Sequence, residues 1–137
     1  MRSSSLGVFV VGLLSMLSIA AIGCGDTEAK YIPSEETARE ALNVSLTAWR
    51  DGQPHRTITS WSIPIDVYDA RWQAGTKLET FEVVREEILE DRKAFIVKMK
   101  VAGGKEEPEV TYLVIGNNPL MVFRKQDYDK ASGVGGG

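Results

Sequence analysis

Between Glu35 and Arg50, apolar or small side chains recur at Ala38, Ala41, Leu42, Ser45, Leu46 and Trp49, while Arg39, Glu40, Asn43 and Arg50 fall largely on the opposite side. A recurrence near 3.6 residues predicts an amphipathic helix with one face committed to a core. Its ends are marked as well. Ser34 stands where an N-cap hydroxyl would accept a free backbone N–H, and Glu35 and Glu36 meet the positive end of the helix dipole. Gly52 suits a left-handed C-terminal cap, and Pro54 prevents continuation.

Beyond this helix the apolar period shortens to two. Residues 53–64 read as a loop or irregular segment, followed by alternating Ile63, Ile65 and Val67, which Pro64 restricts to an edge strand or extended connection. The stretch from Asp69 to Gly75 reads as a turn. Three strands follow: Lys77 to Glu86 with Phe81 and Val83 on one face, Ala94 to Val101 with Phe95, Val97, Met99 and Val101 on one face, and Val110 to Ile115. The last is continuously apolar around Tyr112, which predicts a central strand covered on both faces for part of its length. Asp91-Arg92, Gly103-Gly104 and Gly116-Asn117-Asn118-Pro119 supply the turns, and a final strand is expected from Leu120 to Arg124.

A helix followed by such strands predicts an α+β domain: one N-terminal amphipathic helix packed on a four-stranded (three to five) antiparallel meander sheet. This element order, over residues 35 to 125, resembles cystatin-like and nuclear-transport-factor-like folds, in which a curved sheet wraps an N-terminal helix. The resemblance is one of layout and assigns no functional residue. A single domain is expected over 34–128, with a disordered tail over 129–137 that ends in GVGGG.

Ahead of the domain, Arg2 precedes an apolar stretch from Leu6 to Ile22 that closes on Ala21-Ile22-Gly23-Cys24. This is the layout of a secretory signal. As a helix the stretch rises roughly 25 Å, short of the roughly 30 Å hydrocarbon core, so a cleaved segment is expected rather than a permanent span. The final four residues resemble the bacterial lipobox, with Ala21 where Leu is commoner. The resemblance implies that residues 1–23 are a lipoprotein signal peptide removed before Cys24, whose sulfur takes a diacylglyceryl group. Residues 24–33 then form a tether from lipid to domain. The implied localisation is export, with lipid anchoring to a cell-envelope membrane. Cys24 is also the only cysteine, so no intrachain disulfide can form and an unmodified thiol would be left exposed and reactive.

The charge balance narrows the partners. Sixteen basic and nineteen acidic residues give a formal net charge of −3. Loss of Arg2 with the signal makes the mature chain more acidic still, which argues against nucleic acid and against a polybasic grip on anionic lipid. The expected partners are the membrane, reached through the N-terminal lipid, and an envelope protein or polymer.

Few residues suggest chemistry. His55 is the only histidine, which excludes a multi-histidine metal site, and with Cys24 lipidated there is no Cys-His dyad. No metal and no cofactor is expected. Asp66, Asp69 and Trp72 form the densest unusual cluster, in DVYDARWQAG. Read functionally, they are two carboxylates beside an aromatic surface, a ligand-contact or hydrolase arrangement. Read structurally, Asp69 satisfies backbone donors in a turn and Trp72 plugs one end of the core. Trp49 and Trp72 are expected in the core, and Trp61, set among Thr57, Thr59, Ser60 and Ser62, is the candidate for exposure, either as a partner contact or equally as a lid over the core. The acidic runs Glu86-Glu87, Glu90-Asp91 and Glu106-Glu107 lack the spacing of a calcium loop and read as solvated surface. The functional expectation is a non-enzymatic binding or interaction domain. The alternatives are a small-ligand module with a concave sheet pocket and a hydrolase using Asp66 or Asp69.

Overall fold

The computed structural model describes residues 32–133. The apolar N-terminal segment, Cys24 and the tether through residue 31 lie outside the described residues, as do 134–137. The elements in order are α1 (Glu35–Arg50), β1 (Ile65–Tyr68), α2 (Ala70–Gln73), β2 (Leu78–Leu89), β3 (Arg92–Val101), β4 (Glu107–Gly116), β5 (Leu120–Arg124) and α3 (Lys125–Ser132).

Helix α1 has the expected ends. The Ser34 hydroxyl accepts from Thr37 N, and Gly52 takes φ +83° with its N–H on the Trp49 carbonyl. The stripe read from the sequence is its buried face: Ala38, Ala41, Leu42, Ser45, Leu46 and Trp49. That face lies on Phe95, Val97 and Met99 of β3, Val110, Tyr112 and Val114 of β4, and Leu120 and Val122 of β5. Leucines buried this completely each contribute about 1.5–3 kcal/mol from apolar burial, so the stripe is the main adhesive between helix and sheet. The face of the sheet that carries these residues is therefore covered by α1.

Strands β2 to β5 form the expected antiparallel meander, but the whole sheet has five strands and is mixed, in the order β1-β5-β4-β3-β2. The expectation of a purely antiparallel sheet is corrected here. β1 pairs parallel to β5, with Ile65 opposite Leu120 and Val67 opposite Val122. Its apolar alternation marks a strand but carries no information about direction. The outer edge of β1 is met by an isolated bridge from Ile58 to Ile65, which brings the irregular segment alongside. A single helix was expected in the domain, and three form among the described residues. Asp69–Gly75, read as a turn, holds the short helix α2. Asp129–Ser132, read as the start of a disordered tail, belongs to α3.

α3 explains why β4 is covered on two sides. Leu113 is buried on the face away from α1, opposite its neighbours Tyr112 and Val114. There α3 packs on β4 and β5, with Tyr128 edge-on to Phe123 and beneath the Arg92 guanidinium. The expected central strand is thus observed, with the N-terminal half of β4 left more open.

Candidate functional site

The sequence-derived cluster of Asp66, Asp69 and Trp72 is divided by the pleat of β1. Ile65 and Val67 point into the core, so Asp66 points to the side away from α1, where its Oδ1 accepts a 2.6 Å hydrogen bond from Thr57. Asp69, just past the strand, turns the other way and is 1% exposed. The two carboxylates face opposite sides of the sheet. They cannot act together on one substrate.

Asp69 is the centre of a buried polar network that the sequence reading only half anticipated. As the N-cap of α2 its Oδ1 accepts from Arg71 N at 2.9 Å, which is the turn role expected of it. Its Oδ2 also accepts a 2.6 Å hydrogen bond from the hydroxyl of Tyr112, at the centre of β4. The Arg71 guanidinium approaches Oδ1 at 3.5 Å, reaches Glu107 at 2.6 Å and lies against the Met99 sulfur and the Trp49 ring. Arg124, at the end of β5, stands 3.9 Å from Asp69 and forms a two-point pair with Asp127, whose Oδ2 also accepts from the Ala70 N–H. Four elements (α2, β4, β5 and α3) supply these polar side chains, and β1 runs directly into Asp69.

The electrostatics follow from that geometry. Burial works against the Arg71 charge, yet Asp69, the Tyr112 oxygen and Glu107 outweigh it and hold the guanidinium above its ordinary value. Burial, and then the neighbouring Asp69 carboxylate, push the Tyr112 phenol well above the usual tyrosine range. Burial raises Asp127, but its bonds to Arg124 and to Ala70 N pull it below the usual carboxylate range. The side-chain oxygens of Asp69 and Tyr112 are all engaged, and among the described residues no buried side-chain polar atom lacks a partner.

The tryptophans resolve differently. Trp49 and Trp72 are buried and stack with ring centroids 5.9 Å apart, with their Nε1–H groups on the carbonyls of Thr76 and Gln53. His55 stands edge-on to Trp72, and its Nε2 lies 2.6 Å from the Val67 carbonyl. Trp61 is partly buried against the core, in keeping with a lid over it. A polar neighbourhood in sequence does not decide where a large ring settles.

Two surface recesses lie near this network. One, of about 340 Å³, is lined by Glu107, Glu109 and Thr111 of β4 together with Arg124, Lys125 and Asp129. It occupies the place where β5 ends opposite Tyr112, while β4 continues without a partner on that side. The other, of about 360 Å³, runs past Trp49, Pro54, His55, Trp72 and Thr76. The second lies at the C-terminal end of α1, whereas the chain enters the domain at the other end, where a third recess of about 250 Å³ is lined by Glu35, Glu86, Ile88 and Lys93 beside the ion pair of Glu86 with Arg39. Among the described residues, no three His, Cys, Asp or Glu side chains converge as a metal ion would require. No helix among them is long and apolar enough to cross a membrane.

Sequence reasoning missed Arg71, Arg124, Tyr112 and Asp127. One signal was present: Arg124 continues the inward alternation of Leu120 and Val122, so a charge falls on the core face of a strand. Compared with protein-family models, curated proteins and solved structures, the chain has no significant match.

Proposed function

We propose that this chain is an exported lipoprotein, anchored through Cys24 to a cell-envelope membrane, whose domain is a non-enzymatic binding module for an envelope protein or polymer. The observation that carries the binding part is the division of the domain into two ends. The tether enters where α1 begins, beside a smaller recess of about 250 Å³, whereas the two recesses beside the Asp69 network include none of the residues at that start. A chain anchored at its N-terminus would hold those recesses away from the lipid. Trp61, Asp66, Asp69 and Trp72, the contact residues suggested by the sequence, then serve as support, and Glu107, Glu109, Arg124 and Lys125 take their place as contact candidates.

The engaged state of the carboxylates favours binding over hydrolysis. A paired acid and base need two oxygens that can reach one substrate, whereas Asp69 is sealed and Asp66, whose Oδ1 accepts from Thr57, stands on the other side of the sheet. The small-ligand reading shifts from the sheet face, which α1 covers, to the 340 Å³ recess, a volume at the small end of ligand sites. On element order, α1 lying in front of a four-strand meander keeps the layout likeness to cystatin-like and nuclear-transport-factor-like domains.

Two experiments test the proposal. Labelled palmitate should enter the wild-type chain and not Cys24→Ala, and equal labelling would remove the anchor. A photo-crosslinking residue at Gln126, at the recess, should yield a discrete, competable adduct in intact envelopes, while one at Ile88, toward the tether end, should not. Adducts from Ile88 alone would reverse the assignment of ends. A thermal-shift screen with small polar ligands separates the alternative, since only a true ligand raises Tm by mass action.

A further inference from the structure

We propose that α3 is a releasable latch whose hold on the domain passes through Asp127, and that its release opens the recess between β4 and the start of the helix. Three observations carry this. First, α3 has eight residues and buries none of them, and a helix so short has no independent stability in water. Its order therefore depends on docking. Second, the docking contacts are few and concentrated. The Asp127 carboxylate takes the Ala70 N–H at 2.9 Å and both the Nε and Nη2 of Arg124 at 2.9 and 2.7 Å, while Tyr128 rests edge-on against Phe123 and beneath the Arg92 guanidinium. Lys125 to Asp129, at 2.5 Å, and Ser132 to the Tyr128 carbonyl are internal to the helix and tie it to nothing else. Third, Lys125, Gln126 and Asp129 of α3 form one wall of the 340 Å³ recess beside Arg124 of β5, so displacement of α3 removes most of that wall.

The groups facing Asp127 are Arg124 from β5, Lys130 from α3 itself and the first N–H of α2. Behind Arg124 stand Asp69 and Arg71. Loss of the Asp127 charge leaves Arg124 with Asp69 at 3.9 Å as its remaining acidic neighbour, which draws it inward and away from the helix. Asp127 is held below the ordinary carboxylate range, so the sign is fixed: the latch is fully charged above the unfolded carboxylate value of about 3.9 and weakens as pH falls through the lower folded value. A variant that neutralises Asp127 should reproduce the released state at neutral pH.

The latch stands on these contacts alone. Its bearing on partner access rests on the binding end proposed above, and the two are separated by different readouts. Hydrogen exchange on the full-length chain in mild detergent, corrected for intrinsic exchange, reads the latch. In Asp127→Asn the amides of residues 129–132 should exchange at least about tenfold faster, as loss of a charge-assisted hydrogen bond implies, while those of β3 and β4 keep wild-type protection. A second variant, Ala70→Pro, deletes only the donor. Proline is tolerated at the first position of a helix, and the extended backbone of Asp69 suits the residue before it. It should loosen the same amides with the Asp127 charge intact. If residues 129–132 exchange together with β4 in the wild type and keep that rate in both variants, α3 is an integral part of the core and the latch is refuted. Release in exchange without any change in Gln126 crosslinking would keep the latch and count against the binding end.

Discussion

The hydroxyl of Tyr112, at the middle of β4, donates a 2.6 Å hydrogen bond to Oδ2 of Asp69, the residue that starts α2. The pair spans 43 positions of sequence and joins the meander to the segment that follows the parallel edge strand. Neither side chain reaches solvent to any useful extent. A buried hydroxyl and carboxylate that satisfy each other lock a unique arrangement, because separating them would leave both unpaired away from water.

Tyr112 should remain protonated beyond the ordinary tyrosine range. Its folded value is raised, so the stability it contributes is present below the unfolded phenol value of about 10 and is lost as pH rises above it. An ultraviolet titration should show one phenol of the domain ionising only together with unfolding. If all tyrosines titrate reversibly with the fold intact, Asp69 does not face this hydroxyl.

Arg71→Met keeps most of the side-chain volume and removes the charge between Asp69 and Glu107. Asp69 would stay buried beside fewer counter-charges. Arg71 retains some contact with water, so the expected loss is about 1–3 kcal/mol, below the cost of breaking a fully buried pair. Urea denaturation measures it, and an unchanged midpoint would mean that the guanidinium is dispensable.

The glycines separate strain from crowding. Gly52 and Gly116 both have positive φ, but a Cβ on Gly52 meets nothing within 4 Å, whereas one on Gly116 would stand 2.8 Å from the Pro119 carbonyl oxygen. Gly52→Ala should therefore cost about 1 kcal/mol from backbone strain alone. Gly116→Ala should cost more, about 2–4 kcal/mol, because the β4–β5 turn has to move. Thermal melts that rank the two equally would contradict this geometry.

Trp61 and Trp72 should also rank in order of burial. Trp72→Ala removes a buried ring, its stack on Trp49 and its bond to the Gln53 carbonyl, for about 3–5 kcal/mol. Trp61→Ala removes a partly buried ring and should cost about 1–2 kcal/mol. A Trp61 variant as stable as wild type would restore that ring to the free surface.

Much of this architecture is written in local pattern. The stripe from Ala38 to Trp49, the Ser34 cap and the left-handed Gly52 depend on neighbours within a turn, and each appears where the sequence places it. Strands β2 to β5 are legible for the same reason, since alternation and turn residues lie side by side. The parallel pairing of β1 with β5 depends on residues more than 50 positions apart, and alternation alone says nothing about direction. α3 escaped notice because KQDYDKAS has almost no apolar face, so its order comes from Asp127 and Tyr128 meeting other elements. At the candidate site, Asp69 could be singled out from its turn position, but its partners could not: Tyr112 and Arg124 are brought to it by the register of β4 and β5.

Whether Asp69 serves the fold rather than a reaction is the point on which the binding reading turns, and a double-mutant cycle addresses it most directly. Urea unfolding of wild type, Asp69→Asn, Tyr112→Phe and the double variant yields their coupling energy. The buried 2.6 Å bond predicts destabilisation by each single change and a coupling of about 1–3 kcal/mol. Additivity within about 0.5 kcal/mol, with Asp69→Asn as stable as wild type, would contradict the structural role and return this carboxylate to the pool of residues free for catalysis.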